Sequence, residues 1–218
     1  MTDKTVALDI LSDPICPWCF IGKTQLQRAL AAAPRNPFAI QWHPFQLNPD
    51  MPPGGMDRRA YLEAKFGGQE GAVKAYMPVV EHAKAAGLEI NFEGIKRTPN
   101  TLDAHRLIHW AGIENAQNAV VDALFAAYFQ EGRDIGDPEV LADLADGVGM
   151  DASVVLRLLE SDADRDDIAR RDAEARKMGV TGVPTFIVAG KHAVPGAQPP
   201  ELWVRVIGDI IAQLDAEV

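Results

Sequence analysis

Two cysteines three positions apart, directly after a strand-like run, constrain this chain more than any other feature. Residues 6–11 (VALDIL) read as a buried strand, Ser12-Asp13-Pro14 breaks it, and Cys16-Pro17-Trp18-Cys19 follows. Proline fits the first turn of a helix, where its missing amide has no intrahelical partner. The spacing therefore predicts a helix from Pro17 to about residue 33, with the pair at its N-terminus. These are the only cysteines in 218 residues. A structural disulfide usually closes a longer loop in an oxidising compartment, so a pair this close reads as redox-active or metal-binding.

A helix N-terminus suits dithiol exchange. Its free amides and dipole stabilise a negative sulfur, and the thiolate is the attacking species. Cys16 is placed at those amides and is the candidate nucleophile. Cys19, almost one turn on and further inside, is the candidate resolving thiol. The alternative is half of a zinc site, which needs further ligands. His105 and His109, at i, i+4 spacing, are the pair able to complete one, although no ligand-spacing pattern calls for it.

The remaining segments organise around this start. Residues 38–47 (FAIQWHPFQL) read as a second strand with a bend or edge at Pro44, and 48–56 (NPDMPPGGM) as a loop. From 57 to 178 the periodicity is helical, with segments at 59–66 and 69–86, the latter interrupted by Pro78, and a short strand at 88–92 as the exception. Apolar stripes follow at Val120/Val121/Leu124/Phe125/Tyr128/Phe129, Val140/Leu141/Leu144/Val148 and Val154/Val155/Leu158/Leu159. Strands return at 185–189 and 192–194, joined by Gly190-Lys191, before a last helix from Pro199-Pro200. The expected organisation is an α/β domain made of 1–56 and 179–218, with 57–178 as an all-helical insertion.

A net charge of −10 argues against a non-specific nucleic-acid partner, which requires a basic face. No apolar run reaches the ~20 residues of a membrane span. No secretory leader opens the chain, so a cytoplasmic location is expected.

Val183-Pro184-Thr185, glycine-flanked before a strand, reads alone as a turn or a cis peptide. Together with the upstream pair it makes the chain resemble the thioredoxin superfamily, and within it the DsbA-like branch. Ser12 through Gly22 (SDPICPWCFIG), His43-Pro44-Phe45, Asn100-Thr101…Ala104-His105-Arg106 and Gly182-Val183-Pro184-Thr185-Phe186 look like the cytosolic FrnE-like group. The resemblance implies a thioredoxin fold with a large helical insertion and a cis Pro184 lying against the sulfurs. It also implies that Val183 offers its backbone to an extended substrate, that Pro17 and Trp18 tune and line the approach, and that a groove separates redox domain and insertion. A second cysteine pair found in some FrnE-like isomerases is absent here. Kappa-class glutathione transferases and 2-hydroxychromene-2-carboxylate isomerases are similar in the same regions, but usually carry serine at the position of Cys16.

The expected activity is therefore thiol–disulfide exchange, as a reductase or isomerase. The substrates are disulfide-containing proteins or small thiols, and electrons come from glutathione or a thioredoxin-type reductant. No bound cofactor or metal is expected; glutathione is the candidate co-substrate, with Asn48 a further candidate contact. The alternatives are a glutathione-dependent isomerase or transferase on a small aromatic substrate, and a non-redox client-binding protein. Asp13 reads as a cap of the turn before the helix, with proton relay as the alternative. His43 reads as structural, with a role facing the sulfurs as the alternative. His105 and Arg106 read as a solvated helix surface, with an anion contact as the alternative. Residues 162–176 read as a solvated helix laced with ion pairs. Trp42, Trp110 and Trp203 read as core.

Overall fold

A computed structural model describes residues 4–216. Strand β1 (Val6–Ser12) is central: it pairs in parallel with β2 (Phe38–Pro44) and antiparallel with β5 (Thr185–Val188), which pairs antiparallel with β6 (His192–Pro195). The register sets Leu11 beside His43 and Thr185, and Ile10 beside Trp42 and Phe186. Helix α1 (Pro17–Ala32) makes the crossover between the parallel strands, and α9 (Pro200–Ala216) follows β6. Between β2 and β5 lie α2 (Arg58–Phe66), α3 (Gln69–Ala85), α4 (Leu102–Ile113), α5 (Gln117–Ala126), α6 (Pro138–Gly147), α7 (Ala152–Glu160) and α8 (Arg165–Lys177). Helix α5 ends in a π turn, Ala127–Glu131. This is the α/β thioredoxin fold with a helical insertion.

One buried cluster runs from Leu8 and Ile10 through Phe20 into α4–α7 and α9. Phe20 stacks on Phe125 and Phe129 at 5.2 and 5.6 Å between centroids, which locks the start of α1 to the insertion. Phe186 meets Trp203 edge-on at 4.8 Å, tying β5 to α9. Trp42, Trp110 and Trp203 are all buried. The open edge of β2 is closed by a side chain. Trp42 N–H donates to Gln117 Oε1 at 2.9 Å, and Gln117 Nε2 donates back to the Trp42 carbonyl at 3.2 Å. The amide occupies the hydrogen-bonding positions of a further strand, which protects the edge from pairing with another chain.

The structure corrects several expectations. Strand β2 stops at Pro44, which has no N–H to continue a ladder. Residues 88–92 are not a strand. Their alternation comes from Leu88, Ile90 and Phe92 packing on the insertion, where Asn91 N–H donates to the Phe129 carbonyl at 2.7 Å. Pro78 does not interrupt α3, whose Val79 and Ala83 bury against Ile21; the His82 ring instead bonds the Pro78 carbonyl at 2.8 Å. A two-residue ladder, β3 (Met56–Asp57) with β4 (Arg97–Thr98), lies within the otherwise helical stretch.

The largest correction concerns α4. Arg106 is fully buried and His105 is 3 % exposed. Arg106 donates to the carbonyls of Leu158, Leu159, Ser161 and Ala163 and pairs with Asp103 at 2.8 Å. It lies 5.0 Å over the Trp110 ring. Its guanidinium thus ties α4 to the C-terminal end of α7, whose last carbonyls have no intrahelical donors. Helix α8 does carry the expected exposed ion pairs, Arg170 with Asp167 and Glu174, but Asp172 on it is buried and accepts from Gln46 N–H at 2.7 Å.

Candidate dithiol site

The strand-to-helix turn places both sulfurs. Cys16 N–H donates to the Asp13 carbonyl at 2.9 Å and Cys16 is the N-cap of α1, with φ −88° and ψ 114°. Its own carbonyl accepts from Cys19 N–H at 3.0 Å and Phe20 N–H at 3.3 Å, so the first helical turn closes around the pair. Both cysteines are free thiols, 3 % and 1 % exposed. Pro17 takes the first helical position. Trp18 is half-buried and meets His82 of α3 edge-on at 5.1 Å.

Cys16 Sγ lies 3.6 Å from the Val183 carbonyl, as donor, and the Val183–Pro184 peptide is cis. Gly196 N–H holds the Pro184 carbonyl at 2.8 Å. Gly22, one turn beyond Cys19, makes this approach possible. A Cβ there would stand 3.0 Å from Pro184 Cγ and 3.3 Å from Ala197 Cα. Gly22→Ala gains about 1 kcal/mol of helix propensity and loses about 1–3 kcal/mol by crowding. The expected outcome is net destabilisation by up to about 2 kcal/mol, measured by urea unfolding. A stabilised variant would show that the turn is free to retreat.

Burial pushes the Cys19 thiol well up, and the hydrogen bond shared with Cys16 adds to this, against the opposing Ser12 hydroxyl and Asp13 N–H. The proton therefore stays on Cys19. The Cys16 sulfur stands at the positive end of the α1 dipole, the end that favours negative charge.

Beneath the turn lies a buried polar pair. Asp13 Oδ2 accepts from Leu47 N–H at 2.6 Å and Oδ1 from Ile15 N–H at 3.4 Å, so the carboxylate does brace the turn. His105 Nε2 stands 3.8 Å from Asp13 Oδ1 with no hydrogen-bond partner. Burial raises Asp13 to about 7 and lowers His105 to about 4. Asp13 keeps its proton in the folded chain up to pH about 7, so its contribution is full below 3.8 and is lost as pH rises through 7. His105 stays neutral when folded, so its contribution is full above 6.5 and is lost as pH falls through 4. The two slopes oppose each other between about 4 and 6.5. In His105→Leu the Asp13 slope is unopposed. Relative to the native chain, the variant should lose about 1.4 kcal/mol per pH unit as pH rises across that window. Urea midpoints over a pH series read this directly; parallel curves would show that His105 does not titrate as a buried neutral ring.

His43 lies on the other face of the sheet from Ser12. Its Nε2 is 2.8 Å from Asp9 Oδ1 and its Nδ1 3.3 Å from Arg171 Nη2. A guanidinium only donates, so Nδ1 accepts and Nε2–H donates to Asp9. Arg171 also reaches His109 Nδ1 at 3.2 Å. His105 and His109 thus serve two different networks. Among the described residues, no group of three or more His, Cys, Asp or Glu side chains is placed to hold a metal ion.

Asn48 Oδ1 accepts from Tyr61 Oη at 2.8 Å and Lys65 Nζ at 3.4 Å, while its buried Nδ2 has no partner. Tyr61 and Lys65 escaped the sequence reading. Their i, i+4 spacing on α2 was the available signal, but only the fold brings the loop at 48 beneath them. One cleft lies away from the sulfurs. It lies between α2, α3 and residues 92–96, inside the insertion, and none of Cys16, Cys19, Val183 or Pro184 lines it.

The DSBA-like thioredoxin domain family matches residues 7–208. The uncharacterised protein YwbO of Bacillus subtilis (strain 168) is 30% identical over 212 residues, covering 94% of this chain and 97% of YwbO. The crystal structure of a "probable DsbA oxidoreductase" from Streptomyces coelicolor is 32% identical, with a TM-score of 0.83, covering 95% of this chain and 90% of that one. The cytosolic disulfide reductase DsbM of Pseudomonas aeruginosa, solved with glutathione, shares the fold at 18% identity and a TM-score of 0.66, over 94% and 99% of the two chains.

Proposed function

The chain belongs to the DSBA-like thioredoxin domain family, and on that footing we propose that it is a dithiol–disulfide oxidoreductase in which Cys16 attacks and Cys19 resolves. The observation that carries the reading is the asymmetry of the two sulfurs. Cys16 occupies the N-cap against the Val183 carbonyl, whereas Cys19 is desolvated and retains its proton.

The Cys16 thiolate attacks one sulfur of a substrate disulfide and expels the other as a thiolate, which takes up a proton. Cys19 then gives up its proton and attacks Cys16 Sγ, and the second substrate thiol leaves. The substrate gains two electrons and two protons, and the Cys16–Cys19 disulfide forms. Two molecules of glutathione, or a thioredoxin-type dithiol, return the pair to its reduced state. With substrate bound along the 183–184 turn, the Val183 backbone pairs an extended segment by strand addition. Pro17, Trp18 and Pro184 bound the approach to the sulfurs.

A cytoplasmic setting, that of the cytosolic reductase DsbM, has a glutathione poise of about −220 to −320 mV. Such a poise keeps most dithiols reduced, which favours reduction or isomerisation over net oxidation. Glutathione is the proposed co-substrate. The unpaired Asn48 Nδ2, with the Lys65 ammonium beside it, supplies donors for its carbonyl and carboxylate groups. No resident cofactor or metal enters this cycle.

The test is equilibration of the purified chain across reduced-to-oxidised glutathione ratios, followed by alkylation and mass measurement. Reversible formation of the Cys16–Cys19 disulfide supports the proposal, and its midpoint ranks reductase, isomerase and oxidant roles. Formation of only a glutathione adduct, or of no disulfide, overturns it in favour of glutathione-dependent isomerase or transferase chemistry. Client binding unaffected by loss of both sulfurs marks a non-redox binding protein.

A further inference from the structure

Among the described residues three cationic side chains are buried: Lys23, Arg58 and Arg106. Lys23 is paired with Asp122 and Arg106 with Asp103. Arg58, the first residue of α2 and 6 % exposed, is the exception. Its Nη1 donates to Tyr128 Oη at 2.9 Å and its Nη2 to Tyr76 Oη at 3.0 Å. The guanidinium lies 5.6–5.7 Å from the centres of both rings. Neither phenol neutralises it, because burial raises both hydroxyls above their ordinary value. Among the described residues the hydrogen-bond partners of the Arg58 guanidinium are these two phenols, and no carboxylate pairs with it. A buried cation with only neutral partners bears a large desolvation penalty that a nearby anion would relieve.

Arg58 and Tyr76 both line the cleft between α2, α3 and residues 92–96. Its volume is about 730 Å³, within the usual range of small-molecule sites. Leu62, Val73, Met77 and Phe92 make its walls apolar, and Val73 and Met77 are each 57 % exposed. An apolar cavity with one convergent charged group and one hydroxyl is the usual composition of a site that orients an amphiphilic ligand. The rim limits the charge of the occupant. Glu63 is tied to Arg59, Asp57 caps α2, and Lys96 is the other cation of the lining, but Glu81 and Glu93 also border the opening, so carboxylates outnumber cations there and disfavour polyanions.

We propose that this cleft binds an apolar monocarboxylate, with its hydrocarbon body between α2 and α3 and its carboxylate on the Arg58 guanidinium and the Tyr76 hydroxyl. The site shares no lining residue with Cys16, Cys19, Val183 or Pro184, and it does not depend on the redox reading. It borders the dithiol region along α3, whose adjacent face carries Val79, His82 and Ala83 against Ile21 and Trp18, and the Cys16 sulfur is near enough to act on the Tyr76 hydroxyl.

The test is calorimetric titration of the full chain with dodecanoate below its micelle concentration, with dodecanol as the uncharged probe of equal length and inorganic phosphate as the anion without a body. Saturable 1:1 binding of dodecanoate, at least tenfold tighter than dodecanol and with no phosphate binding, is expected. Arg58→Gln should weaken dodecanoate at least tenfold. Arg58 is buried, so a second variant guards against misfolding. Met77→Glu sits on the exposed wall, should leave the unfolding temperature unchanged, and should weaken dodecanoate tenfold or more through like-charge repulsion. Absence of saturable dodecanoate binding overturns the proposal. So does equal affinity for dodecanol, or undiminished binding by folded Met77→Glu.

Discussion

Cys16→Ser is expected to abolish disulfide exchange down to the uncatalysed rate, while Cys19→Ser should retain the first attack and stall after it. The two substitutions separate because the sulfurs occupy different environments. Serine at 16 keeps the N-cap geometry and the approach to Val183, but its hydroxyl remains un-ionised and does not attack a disulfide. Serine at 19 leaves Cys16 in place as the N-cap of α1. It removes the thiol that would resolve the mixed disulfide, so a covalent adduct of Cys16 with glutathione or substrate should accumulate and be visible by mass. Insulin or oxidised-glutathione reduction assays, run beside non-reducing mass spectrometry, check both arms. Full activity in Cys16→Ser would remove the nucleophile assignment. Rapid turnover in Cys19→Ser without an accumulating adduct would assign resolution to a second molecule of glutathione and point to single-thiol chemistry.

Arg106→Ala is expected to be the most damaging substitution to stability away from the sulfurs. It removes the guanidinium donor from four carbonyls at the end of α7 and beyond, of which Leu158 keeps the Ser161 N–H and hydroxyl, and leaves Asp103 with Arg165 alone at 3.1 Å. Breaking a buried charged network by removing one partner costs about 3–5 kcal/mol. For a chain of this size that is a fall in unfolding temperature of roughly 6–20 °C. Arg106→Lys should rescue little, because a single ammonium cannot reach carbonyls arranged around a planar fork. Differential scanning calorimetry of both variants decides this. A loss under 1 kcal/mol in Arg106→Ala would mean that water replaces the guanidinium without difficulty.

Much of the fold is legible in the sequence because its signals are local. Proline at the first helical position, a strand breaker before it and an apolar stripe after it mark the start of α1 within ten residues. Glycine and proline punctuation marks β5 and β6 in the same way. Local signals also misled where a long-range contact won. The alternation at 88–92 reflects packing against α3 and the end of α5, with no partner strand. Pro78 should break a helix, yet burial of Val79 and Ala83 on Ile21 holds α3 through it.

The sequence by itself determined the chemistry available to this protein: two thiols held at one helix start, and a Val183–Pro184 turn able to meet them. Tertiary structure alone decided which polar groups lie inside. Periodicity gave no reason to bury His105 and Arg106, because His105 lies against Asp13, 92 residues away, and Arg106, besides its local pair with Asp103, donates to carbonyls more than 50 residues away. Nor did it show that Asn48 would keep an unpaired donor, that His43 would turn to Asp9 and Arg171, or that Arg58 would lie buried without an anion. The physical reason is the same in each case. Helix and strand patterns record which face of an element is apolar, whereas the state of a buried charge depends on groups that only the packed chain brings within hydrogen-bonding distance.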